Sequence, residues 1–268
     1  MAKQLIAQPL PNFGVNGLNT QSNPNSLDPS YLTSADNIVL RESGRISFRK
    51  GLKQKVVPSG TAINSIVEHD DQGTNKIFAS HGTSIYTIDF TSPNAAFPSS
   101  GADVKHTVAN STGDWQFINF NNRLTCLHTG IVPQRYDGSV SAGSMWAAFD
   151  NATRPPTVST GEFKPSCGAG TYGRMWVGGV AEEKDVLHYS ALLDSDDYTT
   201  SSGGGSIDLK KVWDKDDIIA IAPFYGQLAV FGKNNIALYE SPDVIGNIKL
   251  NEVIKGIGCI ARDSVQAI

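Results

Sequence analysis

The amino-acid sequence predicts an all-β fold, a β-propeller-like array of four-stranded antiparallel blades with an extended N-terminal arm. The first observation is a meander between Asp216 and Ser241, in which three apolar runs are separated by short segments containing Gly or Asn. Short runs rich in β-branched and aromatic residues are typical of strands rather than helices. Glycine and asparagine tolerate the positive φ angles of tight hairpin turns, so the segment predicts three antiparallel strands.

The second observation is that this meander recurs along the chain. Its anchor residues Ile77, Leu124, Met175 and Leu228 lie 47, 51 and 53 residues apart. A period of roughly 50 residues built from four-stranded meanders is typical of a β-propeller. One meander cannot bury both of its faces alone, so neighbouring blades must stack on it. We therefore predict that the four anchors occupy equivalent, mostly buried positions, each on a second strand.

The chain divides into three predicted regions. Residues 1–36 contain much Asn, Ser, Pro and Gly and little hydrophobic periodicity, which indicates an extended arm. The segment 12–36 offers few apolar groups to offset roughly 1–2 kcal/mol of backbone entropy per ordered residue, so we expect contact with a neighbouring protein to order it. Residues 37–58 hold a β-hairpin, and residues 59–268 form the blades.

The hairpin and the first two blades follow from runs of strand-forming residues. The hairpin pairs Asn37–Arg41 with Arg45–Arg49 across a turn at 42–44. It also opens a basic strip between Arg41 and Lys55, which is either an ordinary solvated strand face or a surface that docks on an acidic neighbour or nucleic acid. The first blade spans about Ile63 to Val108, and the second runs from Trp115 to Phe149.

The remaining blades follow a linker at 151–164. The third is predicted to use Arg174–Gly178, Val186–Ser190 and Ser206–Leu209, with a flexible Ser201–Ser206 before its last strand. The fourth combines the opening meander with 247–253. Residues 258–268 are expected to form the first strand of another blade, with no partner strand after it. An open strand edge is a template for unwanted pairing, so we expect either that the array is incomplete at its C terminus or that a partner supplies the missing strands. The alternative within the chain is closure of the ring by the hairpin at 37–49.

Composition narrows the class of protein. The net charge of −4 argues against a generic nucleic-acid binder, and 40% hydrophobic residues exclude a fully disordered chain. Three widely spaced cysteines form neither a disulfide framework nor a zinc motif. The N terminus lacks the apolar core of a signal peptide, and no run reaches membrane-spanning length. The sequence thus predicts a soluble protein without membrane insertion, made in a reducing compartment.

Few residues carry recognisable chemistry. The segment Gly168–Gly173 matches the dinucleotide fingerprint GxGxxG, but a strand follows it where nucleotide binding requires a helix, so we interpret it as a flexible turn into a blade strand. The acidic groups Asp194/Asp196/Asp197 and Asp214/Asp216/Asp217 lack calcium-loop spacing and are expected to be solvated. The five histidines show no metal-binding spacing. We therefore predict no catalytic, cofactor-binding or metal site, and an enzyme is the less favoured class.

Two stretches resemble the tail nozzle proteins (tail tubular protein B) of short-tailed bacteriophages. The first is the N-terminal opening, with Gly14–Gln21, Asp28–Tyr31, Ser34–Ile38 and a basic ending at Arg49–Gly51. The second begins with the Gly-Arg-Met-Trp-Val strand at 173–177. It continues through Tyr-Ser at 189–190 to the Gly-Gln-Leu-Ala-Val-Phe-Gly strand at 226–232.

The resemblance implies a structural role in the virion tail. Nozzle subunits form a hexameric ring below the tail adaptor protein, contact tail fibres or other tail proteins, and close and then conduct the DNA channel during genome ejection. The protein would be made in the host cytoplasm and would contact DNA only transiently. Nozzle proteins are normally several times longer, so this chain would supply only the propeller. The alternative is a cellular propeller that binds a peptide or glycan at its channel mouth, and a third class is a propeller hydrolase or lyase.

Overall fold

The computed structural model describes residues 14–40, 46–49, 56–58, 62–88, 95–97, 104–109, 114–141, 144–213 and 215–266. The chain splits into two compact units, 1–54 and 55–268. In the described residues the regular structure is β-strand, with a few single-turn 3-10 helices.

The first unit contains a folded-back arm and a hairpin. Within the described part of the arm, residues 14–36, backbone hydrogen bonds join its two ends. Residues Leu18 and Leu32 form a parallel bridge, and the Leu32 amide donates to the Gly17 carbonyl at 2.8 Å. These backbone bonds, together with the burial of Leu32, order the loop from within. The hairpin pairs β1 (Ile38–Leu40) with β2 (Ile46–Phe48) in antiparallel register, which confirms its predicted strands.

The second unit contains four four-stranded antiparallel sheets, which we call blades I to IV in chain order. Blades I, II and IV agree with the predicted segments. Blade I consists of β4 (Ile63–Asp71), β5 (Thr74–His81), β6 (Ser84–Thr87) and β8 (Val104–Thr107), and blade II of β9 (Gln116–Phe120), β10 (Arg123–His128), β11 (Ile131–Asp137) and β12 (Trp146–Ala148). Blade III consists of β13 (Cys167–Thr171), β14 (Arg174–Gly178), β15 (Val186–Tyr189) and β16 (Gly205–Asp208). Blade IV consists of β17 (Ile218–Phe224), β18 (Gln227–Gly232), β19 (Asn235–Glu240) and β20 (Lys249–Lys255).

The order of the blades is set by their first strands. Strand β9 lies against β4 on one side and against β13 on the other, and β17 lies against β13. First strands that follow one another around a centre define a propeller-like array. An excursion between β6 and β8 adds a short parallel pair, β3 (Val56–Pro58) with β7 (Ala95–Phe97).

The first two strands of every blade are joined by the same kind of turn. Two consecutive residues with positive φ occupy each turn: Gln72-Gly73, Asn121-Asn122, Tyr172-Gly173 and Tyr225-Gly226. Positive φ at both central residues defines the type I′ turn, whose twist matches that of the flanking strands. The four blades therefore share their backbone construction at this point as well as their apolar pattern.

The hydrophobic core consists of layers between successive blades. Leu124 lies in the layer between blades I and II, Met175 in that between II and III, and Leu228 in that between III and IV. All three are fully buried on second strands, as predicted. Ile77 also lies on a second strand but is only half-buried, because the described residues contain no blade before blade I to cover that face.

The opposite end of the array has a similar partly covered face. On blade IV the side chains of Phe231, Ile236 and Leu238 point away from blade III and are only partly buried. The predicted next strand at 258–268 does not form in the described residues up to 266. Instead Arg262–Ser264 makes a 3-10 turn, stabilised by a hydrogen bond from the Ser264 hydroxyl to the Ala261 carbonyl at 2.6 Å. Such local bonds give the segment a turn conformation in place of the predicted strand.

Blade III differs from the prediction in two places. Its first strand, β13, covers most of the glycine-rich segment, and only Tyr172-Gly173 forms the turn. The segment Ser201–Ser206 is also more regular than expected. It contains a 3-10 turn at Thr200–Ser202, closed by Gly203 in the left-handed conformation, and then enters β16. In the part of the chain that the structure describes, no helix has the length and hydropathy needed to cross a bilayer.

Candidate functional site

The glycine-rich segment serves sheet packing. A Cβ atom at Gly168 would meet the Trp176 carbonyl oxygen at 2.8 Å and a Leu127 methyl group at 2.9 Å. One at Gly170 would meet the Phe120 side chain at 2.9 Å. Since β14 follows directly and no helix N terminus is present there, the segment lacks the geometry that holds a pyrophosphate. The glycines instead let blade III approach blade II closely.

The first acidic group bridges two blades. Arg123 on β10 lies 2.9 Å from Asp137 on β11 and 3.4 Å from Asp194 in the loop after β15, and Arg135 pairs with Asp196. Burial raises the pKa of Asp137, but hydrogen bonds from Ser139 and the charge of Arg123 outweigh it, so the net shift is downward. The aspartates were expected to be solvated, and the structure uses two of them as ion-pair partners between blades II and III.

Asp216 in the second acidic group is also structural. Its buried carboxylate accepts hydrogen bonds from the amides of Lys233 and Asn234 and from the Asn235 side chain, at 2.8–2.9 Å. Asp217 lies 2.8 Å from the Lys233 ammonium, whose hydrogen bond lowers the aspartate pKa. Asp216 thereby fixes the turn between β18 and β19. The third member, Asp214, lies outside the described residues.

A polar cleft of about 400 Å³ lies between blades I and II. At its wall, His69 Nδ1 is 2.7 Å from Asn119 Oδ1, and Asn119 Nδ2 donates to the Glu68 carbonyl at 2.9 Å. Because the amide oxygen is an acceptor, His69 carries its proton on Nδ1. The cleft is lined by amide, carboxylate and aromatic groups: Glu68, His69, Asp70, Asn75, Asn119, Phe120, Asn121, Asn122 and Arg123.

A second polar cluster joins blades I and II. Lys76 on β5 contacts both Asp71 and the Tyr136 hydroxyl, and that hydroxyl donates to Asp71 at 2.9 Å. The hydrogen bond from Lys76 lowers the pKa of Asp71. Neither polar feature of this interface was anticipated from the sequence, because its partners lie 50 to 65 residues apart.

Two cysteines and one histidine are buried in their neutral forms. Burial raises the pKa of Cys167 to about 12 and that of Cys126 well above its usual range, which makes both thiols inert at neutral pH. His188 is fully buried, and burial lowers its pKa to about 4. In the described residues no three His, Cys, Asp or Glu side chains are grouped to hold a metal ion.

The centre of the array is narrow. A cleft of about 300 Å³ is lined by first-strand residues of blades I, II and IV, such as Ile66, Gln116 and Ile221, and by Arg262 of the C-terminal segment. Arg262 donates to the Ser166 carbonyl at 3.0 Å and pairs with Asp263. This cleft can accept a small group but not a macromolecule.

Exposed apolar side chains of the described residues include those of the hairpin, of the loop after β15, and of Phe224 and Tyr225 at the β17–β18 turn. The first, the hairpin face, is the side of β1–β2 on which the register places positions 38, 40, 46 and 48. Phe48 is 90% exposed. The second, the leucine edge, consists of Leu192 and Leu193 in the loop after β15, which are 60% and 55% exposed. These surfaces suit contacts with another protein better than chemistry.

No protein-family model and no curated protein matches this sequence. Among solved structures, the chain is similar to BBS1N in a crystal structure with ARL6DN, at 12% identity and a TM-score of 0.42 over 85% of this chain and 64% of that one. It is similar to the AfRom2 CNH domain at 11% identity and a TM-score of 0.45, over 85% and 62% of the two chains. It is also similar to PorZ of Porphyromonas gingivalis, at 12% identity and a TM-score of 0.40, over 82% of this chain and 24% of PorZ.

The chain thus spans less than two thirds of the lengths of these structures. At this level of similarity, what they bind or assemble with has no bearing on this protein. The propeller-like architecture is established by the strand order and pairing within the chain itself.

Proposed function

We propose that this protein is a structural component of a short phage tail, a nozzle subunit that assembles into a ring around a DNA channel. The resemblance of its N-terminal opening and of blades III and IV to nozzle proteins motivates the proposal. The observation that carries it is the hairpin face. A two-stranded hairpin is marginal by itself, and Phe48 on this hairpin is 90% exposed, so the hairpin fits a chain that works in an assembly.

The dimensions of the array support a channel between copies and not within one copy. The major groove of duplex DNA alone is about 12 Å wide. The central cleft of about 300 Å³ cannot admit such a molecule. In this proposal several copies therefore surround the DNA, and the blades form the wall.

The net charge of the protein supports a role in which DNA passes along the protein and is not held by it. Proteins that hold DNA neutralise phosphates with Lys and Arg. Here the net charge is −4, and residues 1–54 contain six basic and three acidic side chains, so the remaining residues carry −7. An acidic wall repels phosphates and lets the duplex slide during ejection.

Native mass spectrometry of the purified full chain at increasing concentration tests the proposal. We expect a species of six copies. As it dissociates, we expect no stable species of four or five copies. A chain that stays monomeric at all concentrations would contradict the proposed role.

The second candidate is a binding module for a glycan or peptide, and the polar cleft between blades I and II favours it. Amide and carboxylate side chains with a flanking Phe120 provide hydrogen bonds and a stacking surface for a small polar ligand. Ligand arrays on the monomeric protein test this alternative. Specific binding that Asn119→Ala abolishes would favour it over the nozzle role.

A further inference from the structure

The hairpin face exposes one large aromatic side chain, that of Phe48. The pairs Ile38↔Phe48 and Leu40↔Ile46 lie on the same side of the hairpin, and Phe48 is almost fully exposed. Its neighbour Arg49 is also exposed, and its amide donates to the Asn37 carbonyl at 2.7 Å, which continues the ladder. Aromatic side chains dominate interface energetics, and arginine is enriched there as well. The hairpin therefore has the composition of a binding element.

The leucine edge is a fixed surface. Leu193 has φ 57, a left-handed conformation that is unusual for a bulky residue. It is held there because its amide donates to the Gly173 carbonyl at 2.8 Å and its carbonyl accepts from the Asn121 side chain at 2.6 Å. A surface whose conformation is fixed before binding loses little entropy when a partner arrives.

The charges around the two features are complementary. Residues 1–54 carry a net charge of +3 and the rest of the chain −7. Beside the leucine edge lies a cleft of about 270 Å³ with four carboxylates and two guanidinium groups. Asp194 pairs with Arg123, and its side chain is still 44% exposed. The residues that line this cleft are Arg123, Arg135, Ala148, Asp150, Thr153, Asp194, Asp196 and Asp197.

We propose that the hairpin of one copy docks on blade III of a second copy. Phe48 packs on Leu192 and Leu193, and Arg49 lies beside Asp194. Apolar contact at the centre with a charged pair at the rim is the usual anatomy of a specific interface. The inference rests on the proposed ring and identifies the surfaces through which its neighbouring copies join.

Cysteine cross-linking between separately prepared chains tests this contact. The three native cysteines are buried, so introduced thiols react selectively. Phe48→Cys chains are mixed with Leu192→Cys chains under mild oxidation, and we expect a covalent dimer in the mixture but not with either variant alone. The matched control pairs Phe48→Cys with Tyr225→Cys, a turn position in blade IV that is more exposed than Leu192, and should give no dimer.

Affinity measurements on Leu193→Asn make the test independent of cysteine chemistry. Asparagine accepts the left-handed conformation, so this variant should fold normally while the association constant falls at least tenfold. Tyr225→Asn, which also has positive φ, should leave association unchanged. Wild-type association should weaken as salt rises, because Arg49 and Asp194 are at the rim.

The outcomes separate this contact from the nozzle role. Sixfold assemblies without the Phe48–Leu192 cross-link would overturn the docking and leave the nozzle proposal standing. The cross-link without any ring would support the docking and reject the nozzle. A chain that carries both Phe48→Cys and Leu192→Cys provides a further outcome. If its disulfide forms only within one chain, the docking between copies is overturned.

Discussion

At the scale of single residues, the structure depends on a few buried polar groups with distinct tasks. Asp216 accepts three hydrogen bonds that hold the turn after β18, whereas its neighbour Asp217 makes more exposed ion pairs. His188 is enclosed on β15 against the Phe163 ring and near the Glu183 carboxylate, at 3.3 Å. These contrasts lead to two predictions.

Asp216→Ala should destabilise the protein by roughly 2–3 kcal/mol, because it leaves the amides of a buried turn without an acceptor. The adjacent substitution Asp217→Ala should cost less than about 1 kcal/mol, since exposed ion pairs contribute little. Denaturant unfolding of both variants measures the difference. Equal losses would mean that Asp216 does not fix the turn.

His188 should make stability depend on pH. Burial lowers its pKa from 6.5 to about 4, so between these values the unfolded chain binds a proton that the folded chain excludes. Stability is therefore fully present above about pH 6.5 and falls by about 3 kcal/mol as the pH drops towards 4. Equilibrium unfolding at several pH values measures this slope.

His188→Gln should flatten that slope, because the variant has no group to protonate at this position. The control is His106→Gln, a partly exposed histidine that is hydrogen-bonded to Gln134, and it should retain the wild-type slope. A wild-type stability that is constant from pH 6.5 to 4 would refute the role of His188.

At the scale of elements, the close approach of blades depends on small residues in their first strands. Gly168→Ala should destabilise the protein by about 1–3 kcal/mol, because the added methyl group overlaps the Trp176 carbonyl and Leu127. Gly246→Ala is the matched control, since its methyl group meets no atom within 4 Å, and its effect should be small. Thermal unfolding of both variants checks this, and similar values would argue against tight packing at β13.

The type I′ turns provide a second prediction at this scale. Gln72→Asn should raise the free energy of unfolding by about 0.5 kcal/mol, because Asn-Gly suits two consecutive positive φ angles better than Gln-Gly does. Gln72→Val should lower it, since a β-branched residue is strained there. Chemical denaturation gives both values, and the reverse order would exclude this turn type.

At the scale of elements, some strands were predictable from the sequence and others were not. The period and the second strands were predictable because Leu124, Met175 and Leu228 each head an apolar run that must be buried between blades. Strand β13 was not recognised, because Cys-Gly-Ala-Gly-Thr has low strand propensity. Its glycines allow close packing against Phe120 and Trp176.

At the scale of the whole molecule, long-range polar contacts could not be anticipated. Arg123 and Asp194 are 71 residues apart in sequence and meet only because blades II and III stack. The backbone bond between Gly17 and Leu32 within the arm has no apolar pattern in the sequence that could indicate it. The partly covered end faces and the exposed Phe48 of the hairpin are the observations behind the proposed tail role.

The central claim is that copies of this chain surround a DNA channel. Class averages of the assembled full chain in electron microscope images test it most directly. The account predicts rings with sixfold symmetry and a central opening wide enough for a double helix. Single particles without rotational symmetry, at concentrations well above those used for native mass spectrometry, would contradict it.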